Sequence, residues 1–204
     1  RLFSGVTFSL QSGELLHLHG HNGSGKTTLM RAICGLIKPT AGKVRWKGEG
    51  IGRLGEEFSR DVIYIGHKNG IKGDLNGIEN LRIGCVLDGA SITDQQAWEA
   101  LAQMGLRGHE DLPTRVLSQG QKRRVAMARL LVSQAPLWIL DEPFTGPALI
   151  VVPDLGTSTI VLEIADPEGD DNCGHEGDEA GPQTEPHVLT SRVRSTPPPA
   201  HRGS

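Results

Sequence analysis

Glycines at positions 20, 23 and 25, followed by Lys26 and Thr27, stand between an apolar run, Glu14 to His19, and a stretch that reads as a helix from Lys26 to about Leu36. This arrangement constrains the fold more than any other feature of the chain. Glycines let successive backbone N–H groups turn inward and cradle a phosphate. A helix leaving the loop points the positive end of its dipole at the same anion. The Lys26 ammonium reaches the β- and γ-phosphates of a nucleotide, and the Thr27 hydroxyl is a Mg²⁺ ligand. A glycine-rich turn that carries a lysine by chance lacks the strand before it and the helix after it.

The rest of the pattern is consistent with an α/β order and a partly parallel sheet. Val6 to Leu10, Lys43 to Trp46, Val62 to Ile65 and Leu137 to Leu140 read as strands; Thr159 to Ile164 reads as one more. Helical spacing covers Ile78 to Val86, Asp94 to Met104 and about Gly120 to Val132. Trp98 and Met104 share an apolar stripe that reads as core.

Two further stretches carry chemistry. Leu137 to Leu140 delivers a carboxylate pair at its carboxyl end. Asp141 can hold Mg²⁺, through water or directly, and Glu142 can orient and deprotonate an attacking water. Ser118 is a good helix N-cap, Gly120 allows close backbone approach, and Lys122, Arg123 and Arg124 crowd the first turn of the same helix. Cations there oppose the dipole, so the three are expected to face solvent, acids or phosphate. His17, His19 and His21 alternate, but they sit on the strand feeding the loop and inside it, which favours a structural role over a metal or haem site.

Composition matters most near residue 145. Residues 1–145 hold 18 Lys+Arg against 14 Asp+Glu, while residues 146–204 hold 3 against 10 and 8 of the 12 prolines. Two kinds of sequence are joined there. The division expected is one folded α/β domain over 1–145 and a different kind of chain after it. Residues 146–204 form an acidic, proline-rich tail, irregular or disordered, or the product of a frame change. No apolar run reaches the 18 residues that would read as a membrane span. Three cysteines without a CxxC pair fit a reducing compartment, and no signal peptide is read at the start.

The stretches GHNGSGKTT at 20–28, LSQGQ at 117–121 and LWILDEP at 137–143 together resemble the nucleotide-binding domain of ABC transporters. About 90 residues separate Lys26 from the second stretch and about 20 separate that from the Asp-Glu pair, leaving room for a helical subdomain. YIGHKNGIK at 64–72, ENL at 79–81, EDLP at 110–113 and LWILDEPFT at 137–145 are similar to the ATP-binding subunits of cytochrome c maturation haem exporters.

The resemblance implies a phosphate-loop NTPase core of ABC type, an ATPase domain over 1–145 that is incomplete at both ends, with a helical subdomain over about 67–125 and with ATP and Mg²⁺ as cofactors. Gly20, His21, Asn22, Gly23, Ser24, Gly25, Lys26, Thr27 and Thr28 would hold the nucleotide, Thr27 and Asp141 the Mg²⁺, and Glu142 would be the catalytic base. Ser118, Gln119, Gly120 and Gln121 of a second copy would contact the nucleotide across a homodimer. The implied partners are integral membrane transporter subunits and no nucleic acid, and the implied place is peripheral, on the cytoplasmic face of a bacterial inner membrane. Lys68 stands where the family has a glutamine. After Thr145 the chain has Gly146-Pro147-Ala148-Leu149 instead of a small-x-Asp pattern, and none of His175, His187 and His201 follows a strand. Two alternatives stay open: a nucleotide-binding module with impaired hydrolysis, and another ABC importer or exporter ATPase.

Overall fold

Alternating burial along Glu14 to His19 is what a strand inside a two-faced sheet requires. The computed structural model describes residues 5–143, 147–164 and 189–194, the last as backbone alone. Its elements are β1 (Thr7–Gln11), β2 (Glu14–His19), α1 (Lys26–Ile33), β3 (Lys43–Trp46), β4 (Glu49–Gly50), α2 (Ile51–Leu54), α3 (Glu56–Asp61), β5 (Val62–Ile65), α4 (Gly77–Leu87), α5 (Asp94–Gln103), α6 (Gln119–Val132), β6 (Leu137–Leu140), β7 (Ala148–Val152), β8 (Thr159–Glu163) and β9 (Leu189–Arg194).

They form two sheets. One is antiparallel, in the order β1-β8-β3-β4; the other is mixed, in the order β5-β6-β7-β2-β9. In the mixed sheet β5 and β6 are parallel and β7 is antiparallel to both β6 and β2. Hence β2, β5 and β6 run the same way, and their carboxyl ends open into the loops that begin at Gly20, Gly66 and Asp141. A crevice outside the carboxyl ends of such strands is where α/β sheets bind ligands.

One core joins the two sheets to α1 and includes Leu10, Leu18, Leu29, Trp46, Ile139, Ile150 and Leu162. A second holds α4, α5 and α6 together through Leu81, Leu101, Leu106, Leu117 and Val125. Burying a side chain of this kind contributes about 1.5–3 kcal/mol.

Beyond β4, α2 and α3, which went unread, and β9, which lies in the stretch read as irregular, the fold departs from the sequence reading in three places. The α1 helix stops at Ile33 instead of continuing to Leu36. Gly35 takes a left-handed φ of 74°, its N–H donates to the Ala32 carbonyl, and the Leu36 N–H donates to the Arg31 carbonyl. That pair of bonds caps the helix and turns the chain away. Trp98 is 37% exposed and lies under the Arg107 guanidinium, while Ala97, Ala100 and Leu101 supply the buried face. The third is β7, which sequence reading missed: Ala148, Ile150 and Val152 bury one side of a strand that fills the slot between β6 and β2. Phe144, Thr145 and Gly146, residues 165–188 and 195–204, and with them His175, His187 and His201, lie outside the described residues.

Candidate active site

The loop from Gly20 to Gly25 is built by backbone conformation. Gly23 and Gly25 have φ of 86° and 95°, values that side chains beyond glycine rarely adopt. Gly25 is the N-cap of α1, no side chain caps that helix, and its first turn holds no acid. The first N–H groups of α1 are therefore left for an anion. Ser24 is 3% exposed and its buried Oγ lacks a hydrogen-bond partner. The Lys26 ammonium donates to the Gly20 carbonyl at 2.6 Å and the His21 carbonyl at 3.2 Å, which folds it over the loop it would share with a phosphate.

Asp141 follows β6 and is 3% exposed. Its N–H donates to the Ile65 carbonyl at 2.8 Å, which ties the end of β6 to the end of β5. The Thr27 hydroxyl donates to Asp141 Oδ2 at 3.2 Å. A hydroxyl from the first turn of α1 and a carboxylate oxygen from the end of β6 thus meet beside the loop, a donor set of hard oxygens that fits Mg²⁺. Arg31, Tyr64 and Lys68 line the adjoining cleft of about 640 Å³. Burial first, then the Asp141 carboxylate, pushes the Tyr64 phenol above its ordinary pKa, and a hydrogen bond with Arg31 opposes the shift. Lys68 is exposed.

Glu142 is half-buried and has a φ of 50°, left-handed for a residue with a Cβ. That conformation costs about 1 kcal/mol or more and persists only where neighbours hold it. The neighbour is Arg123. Its Nε donates to the Pro143 carbonyl at 3.1 Å, and its Nη2 to the carbonyls of Asp141 at 2.8 Å and Glu142 at 3.2 Å. Its Nη1 donates to the Gly66 carbonyl at 2.7 Å and Asn69 Oδ1 at 3.3 Å. Desolvation lowers the pKa of this guanidinium, with the charges of Asp141 and Glu142 opposing. The basic first turn of α6 was expected to face solvent, acids or phosphate; instead its members grip carbonyls. Lys122 reaches the Arg115 carbonyl at 3.2 Å, and Arg124 those of Met104 and Gly105 at 3.4 and 3.2 Å.

Ser118 caps α6 in a reciprocal box. Ser118 Oγ accepts from the Gln121 N–H at 3.2 Å, and Gln121 Oε1 accepts from the Ser118 N–H at 2.8 Å. The Ser118 hydroxyl proton and the Gln121 amide NH₂ remain to donate outward. Ser118, Gln119 and Gly120 are exposed. The structure brings Thr27 and Asp141 into contact and sets Glu142 next along the chain, while Ser118 to Gln121 are held by the helical core. Sequence reasoning missed Arg123 as part of the site; nothing in the sequence sets it apart from Lys122 and Arg124 beside it.

The sequence profile of the ABC transporter family matches residues 3–145. The chain is 56% identical over 146 residues to the cytochrome c biogenesis ATP-binding export protein CcmA of Nitrosomonas europaea, a match spanning 72% of this chain and 68% of that one. It is 52% identical to the protein of the same name from Dechloromonas aromatica, over 72% of each. Among solved structures it resembles a putative ABC transporter ATP-binding protein from Pyrococcus furiosus (TM-score 0.56, 26% identity, 61% of this chain and 60% of that one). It also resembles an ATP-binding cassette solved as a dimer in a post-hydrolysis state bound to ADP and Pi (TM-score 0.54, 25% identity, 62% and 60%). These solved structures thus align over less than two thirds of their own length. The chain belongs to the ABC transporter family of ATP-binding proteins, as a relative of the cytochrome c biogenesis ATP-binding export proteins.

Proposed function

We propose that the chain is the ATP-binding and ATP-hydrolysing subunit of the haem exporter complex of cytochrome c biogenesis, coupling hydrolysis to a membrane partner. The observation that carries the nucleotide reading is the Thr27–Asp141 contact beside an uncapped helix N-terminus. Gly20 to Thr28 bind the phosphates: backbone N–H groups orient them and Lys26 neutralises charge. Thr27 and Asp141 would hold Mg²⁺, which would supply positive charge against the phosphoryl oxygens. Glu142 takes a proton from the attacking water. Ser118, Gln119, Gly120 and Gln121 donate to the nucleotide of a second copy, so the working unit is a homodimer. The export-protein names of the relatives support membrane transporter subunits as partners and a peripheral place on the cytoplasmic face of the inner membrane. No helix among the described residues is long and apolar enough to cross a membrane.

A second reading, nucleotide binding with impaired turnover, draws support from β7, which enters the sheet soon after Pro143. Steady-state ATPase assays with Mg²⁺, beside binding of a fluorescent ATP analogue, separate the two. Hydrolysis that falls about 100-fold or more in Glu142→Gln with analogue affinity kept supports the first reading; binding without turnover in the unmodified chain supports the second.

A further inference from the structure

Arg123 spends its whole guanidinium on main-chain and amide oxygens. A guanidinium has five N–H donors fixed in one plane, and five acceptors surround this one: the carbonyls of Gly66, Asp141, Glu142 and Pro143, and Asn69 Oδ1. Three of these carbonyls belong to consecutive residues of the turn that carries the left-handed Glu142. The other two acceptors belong to the loop that leaves β5. The arginine itself stands on α6, whose next turn is anchored by the buried Val125, Ala126, Met127 and Ala128. A rigid helix therefore reaches across and fixes two loops against each other.

We propose that Arg123 is a positioning residue for Glu142. It acts through the main chain, holding the turn at 141–143 in the one conformation that aims the carboxylate, and locking that turn to the loop at 66–69. This inference rests on the reading of Glu142 as the base. Lysine cannot substitute, because an ammonium offers three donors from one point and cannot bridge five oxygens spread around a plane.

The test uses the full chain and its R123K and R123A variants. Steady-state ATP hydrolysis, binding of a fluorescent ATP analogue and backbone amide exchange over 63–70 and 137–143 are measured in each. R123K is expected to lower kcat about tenfold or more, to leave the KM for ATP and the analogue affinity within about twofold, and to speed exchange in both segments. Guanidinium ion at tens of millimolar is expected to restore part of the kcat of R123A, and equal ammonium is expected not to. Turnover lost in E142Q but kept in R123K overturns the proposal and leaves the base assignment standing. Turnover indifferent to E142Q, or absent from the unmodified chain, overturns the assignment beneath it and the proposal together. A fall in ATP affinity that matches the fall in kcat, with no response to guanidinium, makes Arg123 a folding residue only and overturns the positioning role.

Discussion

At the scale of single residues, burial decides which groups are chemically available. Cys34 follows the last turn of α1, and desolvation raises its pKa from 9.0 to about 12. Cys85, buried on α4, is raised too, by burial first and then by Asp88, with Arg129 opposing. A neutral thiol is a poor nucleophile. Alkylation of Cys34 by iodoacetamide at pH 8 is therefore expected to run about tenfold or more slower in the folded chain than in denaturant, as peptide mass mapping would record. The same shift acts on stability. The unfolded thiol ionises near 9 and the folded one near 12, so this contribution is complete below pH 9 and is lost as pH rises toward 12. Cys34→Ala should flatten the alkaline limb of a pH series of urea midpoints. An unchanged slope would mean that the thiol is solvated in the folded state.

At the scale of elements, Asn80 shows how one side chain can build a loop. From α4 it accepts from the Lys72 N–H at 2.7 Å and donates to the carbonyls of Lys72, Leu75 and Asn76 at 3.0, 3.2 and 2.9 Å. Asn80→Ala would leave those groups without their partner, at a cost of about 2 kcal/mol in urea unfolding, and should speed proteolysis between 69 and 76. The strands β2, β3, β5 and β6 were legible to the residue, because alternating or apolar stretches end there at glycine, lysine or an acid. The turn at 20–25 between β2 and α1 was legible because its glycines set the backbone conformation locally. By contrast, β4, α2 and α3 went unread because four glycines from 48 to 55 and their neighbours show no clear period. Strand β7 was a five-residue apolar run hidden by the change of composition around it. Arg123 could not be read because Gly66, Asn69 and Asp141 meet it only once the chain has folded.

At the scale of the molecule, the antiparallel sheet ties the beginning of the described chain to its later part, since β8 pairs with both β1 and β3. Gly42 marks that joint. It has a φ of 103°, and a Cβ there would run into the Glu163 carbonyl and the Ile164 main chain. Gly42→Ala is expected to destabilise the fold by about 3 kcal/mol and to lower the melting temperature by about 6 °C. A neutral result would show that β8 does not lie against residue 42 in solution. The mixed sheet has a similar long reach. Among the described residues, β2, which leads into the glycine loop at 20–25, pairs only with β7 and β9. During synthesis on the ribosome β2 therefore waits, without a partner, until the chain has grown past residue 152. If Gly20 to Thr28 hold the nucleotide as proposed, its capture is a late event in the life of each nascent molecule, and ATP binding would report that the sheet has been completed.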